Sequence, residues 1–384
     1  MELNIPYFIL NHVNRALFGR AVLPEEPVDW VYVCRMCKAQ SISGLFWAGA
    51  QTTQCTPDVR FIEHFHRIET MEAVQHAHQE RSLRQVLAML EEEKIPYILL
   101  KGTRMRKFYP KAVWRTSCDI DILFDGDEGR IHERMLELGY SFEGDAGTTL
   151  NYLQGPVEFE MHRRLFDDKL EFQGFFQNVW DYSVSVGNGS CERLLTEEFF
   201  YAYMVAHMAK HFTRYGCGVR PVVDLYLYRQ TAPSDFDASE AEKLLMKIGL
   251  LDFEKRLLKL TRAWFETGKL SETDEKLTDY IMEAGVYGDS RIMDARAVKE
   301  PERAEQARRK RLLRFVFPPL KEMRILYPRM LKCPVLLPLS WVLRSFGLFT
   351  KRRKEAQNKL KRYNDVDKGF VSYVTQMTEE LHLQ

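Results

Sequence analysis

The chain has 384 residues, 45% hydrophobic and 28% charged, which is room for two or three domains with a sizeable core and the balance of a globular protein rather than a disordered one. A net charge of +1 leaves no global field to recruit nucleic acid. The charge is uneven, however: residues 301–384 hold 19 Lys/Arg against 8 Asp/Glu, and the rest of the chain 36 against 46, so the basic tail points to an anionic partner or to packing against the acidic body.

Met1-Glu2-Leu3-Asn4 lacks the basic and apolar regions of a leader peptide. No apolar run reaches the roughly 18 residues of a membrane helix, and the seven cysteines are scattered, as in reduced thiols. Together these read as a cytoplasmic protein. Residues 1–25 look irregular, with a turn near Pro24-Glu-Glu-Pro27. Val28–Ala50 is apolar and reads as helix. Pro57–Glu93 is a long helical pattern, with Leu83, Val86, Leu87 and Leu90 on one face, stopped by Pro96. Tyr97–Leu100 is the first strand, and Gly102 allows a tight turn. Thr103–Tyr109 is a short helix closed by Pro110. Cys118–Phe124 is the second strand, followed by helix Glu128–Leu138 and its stop Gly139. Tyr140–Phe142, Thr148–Leu153 and the alternating Val157–Arg163 complete a small mixed sheet flanked by helices, an α+β core. From Thr196 the chain is helical: to Phe212, then Val219–Arg229, Ser239–Met246, Leu251–Phe265 and Asp274–Ala284. Arg303–Phe315 is a basic amphipathic helix, several prolines follow, and Lys351–Arg362 is highly charged. The division expected is a helical cap over 1–95, a catalytic core over 96–190, a helical domain over 191–300 and a basic, Pro-punctuated helical region over 301–384.

The stretch Tyr97–Leu123 carries the chemistry. Asp119-Ile-Asp121 puts two acids on one face of an apolar strand, roughly 6–7 Å apart. Like charges so placed require a compensating cation, and a divalent ion with a taste for oxygen, Mg²⁺ first and Mn²⁺ second, is the natural one. Gly102-Thr103 at a helix start offers free backbone N–H groups to a phosphate. On the later strand, Glu158, Glu160 and His162 share one face. If that strand lies beside Asp119–Asp121, it supplies a third carboxylate, and alternation alone does not choose between Glu158 and Glu160.

These residues also carry a resemblance. Lys101-Gly102, Tyr109-Pro110, Arg115 followed by Asp119-Ile-Asp121-Ile-Leu, Gly139-Tyr140 and Glu160-Met-His162 resemble the family of uncharacterised nucleotidyltransferases, within the polymerase-beta-like nucleotidyltransferase superfamily. Residues 203–224 resemble that family's helical segment, with His207, Lys210, His211, Arg220 and Asp224. The resemblance implies the superfamily's small mixed sheet, with an N-terminal helical cap and a C-terminal helical domain. It selects Glu160 as the third carboxylate. It implies Asp119, Asp121 and Glu160 as catalytic metal ligands, and Lys101, Gly102, Thr103, Arg115, Lys210 and His211 as nucleotide contacts. Arg115 reads equally as the partner of a nearby acid, and Asp224 as a partner for Arg220 or Lys210. Two positions depart from the pattern: Thr103 stands where Ser or Gly is usual, and Arg163 where Trp often follows the histidine.

The function expected is metal-dependent transfer of a nucleoside monophosphate, AMP by default, from a triphosphate to a small molecule, peptide or protein, releasing pyrophosphate. Two other readings are a transferase acting on tRNA, which the basic tail permits, and a nucleotide-binding scaffold without activity, which the full set of carboxylates argues against.

Overall fold

The computed structural model describes residues 4–20, 28–53, 57–167, 170–187, 189–298, 304–320, 323, 334–350 and 366–383. The expected turn at Pro24–Pro27 and the charged stretch Lys351–Arg362 lie outside these residues. The chain divides into two compact units: residues 1–211 with 217–286, and residues 212–216 with 287–384.

The first unit opens with α1 (Ile5–Phe18), α2 (Trp30–Gln40), α3 (Ser43–Ala50) and the 34-residue α4 (Val59–Glu92). Helix α1 lies where an irregular segment was expected. Its Asn4 side chain caps the Tyr7 N–H and Pro6 falls in the first turn, where the missing N–H costs nothing. Phe8, Ile9, Leu10 and Val13 give it a fully buried face. It crosses α3 at close range: a Cβ on Gly49 would sit 1.9 Å from the His12 carbonyl oxygen. The expected single helix over 28–50 breaks at Ser41, which adopts a left-handed conformation with φ 52°.

Five strands form the sheet: β1 (Tyr97–Leu99), β2 (Asp119–Phe124), β3 (Ser141–Asp145), β4 (Thr149–Gln154) and β5 (Val157–His162). Their order is β1-β2-β5-β4-β3, and β2 runs parallel to β5 while every other pair is antiparallel. Between β1 and β2 the chain makes α5 (Lys101–Met105) and two short 3-10 turns; α6 (Glu128–Glu137) joins β2 to β3. The two faces of the central strands differ sharply. Ile120, Ile122, Phe124, Phe159 and Met161 point into a core with Leu83, Val86, Met89 and Leu90 of α4 and Ile131 and Met135 of α6. The opposite face carries the acids. Gly102 is the second residue of α5 rather than a turn, because Arg104 anchors that helix: it pairs with Glu197 at 2.7 Å, donates to the Leu195 carbonyl at 2.9 Å and lies 4.0 Å over the Phe200 ring.

Helix α7 (Gln173–Phe176) and the hairpin β6 (Ser183–Ser185) and β7 (Arg193–Leu195) lead into α8 (Glu197–Arg214), followed by α9 (Val219–Thr231), α10 (Ala238–Lys247), α11 (Leu251–Arg262) and α12 (Glu272–Ala284). In the second unit, helix Ser290–Arg296 packs against Lys368–Glu380, and the Trp341 indole donates to the Pro318 carbonyl at 2.8 Å. No helix among the described residues is long and apolar enough to cross a membrane.

Candidate active site

The parallel ladder between β2 and β5 sets Asp119 opposite Glu158 and Asp121 opposite Glu160. Alternation puts all four carboxylates on one face, with Asn151 of β4 flanking Glu160 on the other side. Two rungs of paired acids result, and their surroundings differ.

On the inner rung, Asp121 is 5% exposed. Its Oδ1 accepts from His162 Nε2 at 3.0 Å, and the same nitrogen lies 3.4 Å from Glu160 Oε2. Its Oδ2 faces Lys101 Nζ at 3.7 Å. Burial alone raises the Asp121 pKa, but Lys101 and the His162 hydrogen bond outweigh it and hold the carboxyl below its usual value. Burial opposes charge on His162 as well, yet its bonds to Asp121 and Glu160 raise it to about 9. Because both neighbours are acceptors, Nε2 carries the proton between them.

Lys101 has a second partner, His207 Nε2 of α8, at 3.1 Å. An ammonium only donates, so that nitrogen is the unprotonated one and the ring proton sits on Nδ1. Burial, then the charges of Lys101 and His211, hold the His207 pKa well below its usual value. The His207 ring lies tilted against that of His211, centroids 4.5 Å apart, and packs against Tyr203. The buried Tyr203 has its hydroxyl pKa raised by burial and then by Asp121, Glu160 and Asp119, so α8 closes over the acidic face.

On the outer rung, Asp119 is half-buried and its Oδ1 accepts from Ser117 Oγ at 2.8 Å. Burial, then Asp119 and Glu160, raise the Glu158 pKa. The irregular segment entering β2 is held by side chains rather than by a ladder. The carbonyls of Arg115, Thr116 and Ser117 accept from Arg106, Arg220 and Gln79 at 3.4, 2.7 and 2.9 Å, so three consecutive buried acceptors are satisfied. Arg106 also donates to the Gln79 side chain.

The expected nucleotide contacts divide by position. Lys101 and Gly102 adjoin Asp121; a methyl on Gly102 would lie 3.5 Å from Ser117 Oγ and 3.8 Å from Asp121 Oδ2, so glycine keeps the space beside that carboxylate open. Thr103 is half-buried in α5, its carbonyl accepting the Arg106 N–H. Lys210 and His211 lie on α8, where Lys210 acts on His207 through its charge. Arg115 is buried and pairs with Asp224 at 2.8 Å, the reading in which it serves an acid. Asp224 also accepts from Tyr109 at 2.8 Å; its expected partner Arg220 bonds the Thr116 carbonyl instead. Arg163 bridges Glu128 and Asp145 at 2.6 and 2.8 Å. Sequence reasoning left His162, His207 and Ser117 out of the site. His162 was legible as the third member of the Glu158–Glu160–His162 face; His207 needed the packing of α8.

The donor atoms of Asp121, Glu160 and His162 all lie within 4.8 Å of one another, a spacing that suits a metal ion. Their oxygen-rich chemistry fits a divalent cation.

Residues 26–266 match the family described as "Uncharacterised nucleotidyltransferase". Comparison with curated proteins finds no match. Among solved structures, the chain is similar to the antibiotic-resistance factor ANT(2'')-Ia in solution, with 14% identity over 48% of this chain and 91% of that one and a TM-score of 0.25. It is also similar to an antigenic nucleotidyltransferase-like protein from Paracoccidioides brasiliensis, with 17% identity over 46% and 88% and a TM-score of 0.27.

Proposed function

This chain belongs to the uncharacterised nucleotidyltransferase family and is an enzyme of that type; from that premise we propose that it transfers a nucleoside monophosphate from a triphosphate to an acceptor outside the nucleic acids, with Asp119, Asp121 and Glu160 as its catalytic carboxylates. The observation that carries this reading is the register of β2 against β5, which puts the buried Asp121 opposite the half-buried Glu160 on one acidic face. Asp119, Asp121 and Glu160 would hold divalent ions, Mg²⁺ or Mn²⁺, whose charge would neutralise the phosphates and polarise the α-phosphorus. Gly102 and Thr103 receive the β- and γ-phosphates beside Lys101. Lys210 and His211, on the helix above, contact the nucleotide, and Arg115 holds the segment that enters β2. Glu160 accepts the proton of the attacking group, an oxygen-to-phosphorus bond forms at the α-phosphorus, and the bond to the β-phosphate breaks as pyrophosphate leaves. ATP is the donor by abundance. A small molecule, peptide or protein is the acceptor, and the enzyme works in the cytoplasm.

The test incubates the protein with each α-labelled triphosphate and Mg²⁺ or Mn²⁺, with and without cell extract. Label moves to a non-nucleic-acid acceptor in the wild type and stays on the triphosphate in the Asp119→Asn, Asp121→Asn double variant. Transfer that survives the double substitution overturns the carboxylate mechanism; label found only in RNA overturns the acceptor class.

A further inference from the structure

We propose that His162 is itself a metal ligand, so that Asp121 Oδ1, Glu160 Oε2 and His162 Nε2 bind one divalent ion as a mixed oxygen–nitrogen set that favours Mn²⁺ over Mg²⁺. The inference rests on the metal-dependent reading above and goes beyond it in both ligand set and ion.

The geometry comes first. Ligands at right angles around an ion, with bonds of about 2.1 Å, lie about 3.0 Å apart. His162 Nε2 is 3.0 Å from Asp121 Oδ1 and 3.4 Å from Glu160 Oε2. Both distances are those of neighbours on one coordination sphere, and the three residues offer donor atoms that all lie within 4.8 Å of one another. They are also built into the sheet: Glu160 and His162 are alternate residues of β5, and Asp121 is the register partner of Glu160. The His162 side chain is 11% exposed and that of Asp121 7%, so this is no chance meeting of surface acids.

The direction of the ring is the second observation. Nε2 is aimed between two carboxylates, while the buried Nδ1 has no hydrogen-bond partner among the described residues. In the metal-free protein the Nε2 proton bridges Asp121 and Glu160. An entering cation takes the place of that proton, which leaves to solvent as the metal–nitrogen bond forms. Asp119 stands apart from this set, engaged by Ser117 at 2.8 Å. The remaining oxygen of Asp121 is turned to Lys101 at 3.7 Å.

Ligand type decides the ion. Mg²⁺ takes oxygen donors and keeps its waters. An imidazole nitrogen moves the preference to first-row transition ions, of which Mn²⁺ also accepts two carboxylates and can be read by its electron spin.

Pulsed electron spin resonance of full-length protein with stoichiometric Mn²⁺ and no nucleotide tests this. The expected spectrum contains ¹⁴N modulation from a directly bound imidazole. It disappears in His162→Gln and persists in His207→Gln. Calorimetry is expected to give Mn²⁺ tighter than Mg²⁺ by ~10-fold or more, and His162→Gln to remove most of that margin. Should His162→Gln fail to fold, the wild-type and His207→Gln spectra still decide. Bound Mn²⁺ with no ¹⁴N modulation overturns the ligation by His162 and leaves the metal-dependent enzyme standing. No Mn²⁺ bound, either alone or with a non-hydrolysable ATP analogue, overturns both.

Discussion

The two rungs of the β2–β5 ladder have the same chemistry, an Asp opposite a Glu, and opposite environments. Asp121 and Glu160 meet Lys101 and His162 at contact distance. Asp119 and Glu158 meet a serine hydroxyl and each other's field, with Arg106, Arg115 and Arg220 acting on Asp119 through charge alone. The inner pair is therefore charge-compensated by the protein before anything binds. The outer pair has no cation at ion-pair distance among the described residues, and in the proposed reaction it is the rung that receives the metal–triphosphate complex. On the proposed function, a strand that looks symmetric in composition divides into a part that holds and a part that receives. The cause is tertiary: α5 and α8 bring Lys101 and His207 over Asp121 and leave Asp119 toward solvent.

The largest effect is expected at the inner rung. Asp121→Asn removes one partner each of Lys101 and His162 and a metal ligand. We expect transfer to fall ~10³-fold or more, equivalent to at least ~4 kcal/mol, and Mn²⁺ binding without nucleotide to vanish. Near-normal transfer by the folded variant, scored with labelled triphosphate, would end the assignment of the inner rung as the catalytic one.

Asp119→Asn sharpens the contrast. Transfer is expected to fall by ~10²-fold, about 2.7 kcal/mol, while nucleotide-free Mn²⁺ affinity stays within ~3-fold of wild type, because the set formed by Asp121, Glu160 and His162 is untouched. Calorimetry showing that Asp119→Asn abolishes that binding as completely as Asp121→Asn does would erase the distinction between the rungs.

Much of this arrangement was legible in the chain. The alternation of β2 and β5, the run of strands from Tyr97 to His162, and helices α4, α6 and α8 to α12 follow from local pattern, whereas α7 was not foreseen and α5 begins two residues before the helix expected there. Alternation also put Asp119 with Asp121 and Glu158 with Glu160 on one face, and the proposal of Glu160 as the third catalytic carboxylate rests on the family resemblance. What local pattern could not supply was partnership. That Asp121 lies opposite Glu160 depends on a parallel pairing of strands separated by 32 residues and a hairpin, which no nearby residue dictates. The ion pair of Asp224 with Arg115 was not foreseen, because Arg115 lies 109 residues away in the chain and only packing brings the two together. Helix α1 was missed because Pro6 reads as a breaker unless Asn4 is recognised as the cap just ahead of it.

A third site separates burial from charge environment. His12 and His162 are both buried, but no acid among the described residues bonds His12; its Nδ1–H donates to the Phe8 carbonyl at 2.9 Å and its ring packs on Phe8 and Phe46. Burial, with a smaller push from Arg15, lowers its pKa to about 4. The folded value is below the unfolded one, so stability present above pH ~6.5 is lost as pH falls toward 4, by about 2–3 kcal/mol. Urea unfolding at pH 7 and pH 4.5 checks this: the advantage of wild type over His12→Gln should shrink by about 2 kcal/mol. Parallel stability curves would show that burial does not hold His12 neutral, and that the contrast with His162 has another origin.

The smallest effect is the most discriminating for the outer rung. Glu158 has its pKa raised by burial, then by Asp119 and Glu160. The folded protein therefore binds more protons than the unfolded chain just above the ordinary glutamate range, and stability falls as pH rises through that window. Glu158→Gln removes the repulsion without changing shape. In chelator-treated protein the variant should match wild type near pH 4, where Glu158 is protonated, and exceed it by a few tenths of a kcal/mol at pH 8, solvent screening keeping the gain small. Saturating Mn²⁺ with an ATP analogue should cancel the gain, because the incoming cation supplies the compensation the outer rung lacks. A gain equal at both pH values would trace to packing instead. A gain that persists with the metal–nucleotide bound would mean that the cation settles elsewhere, and that the outer rung does not receive it.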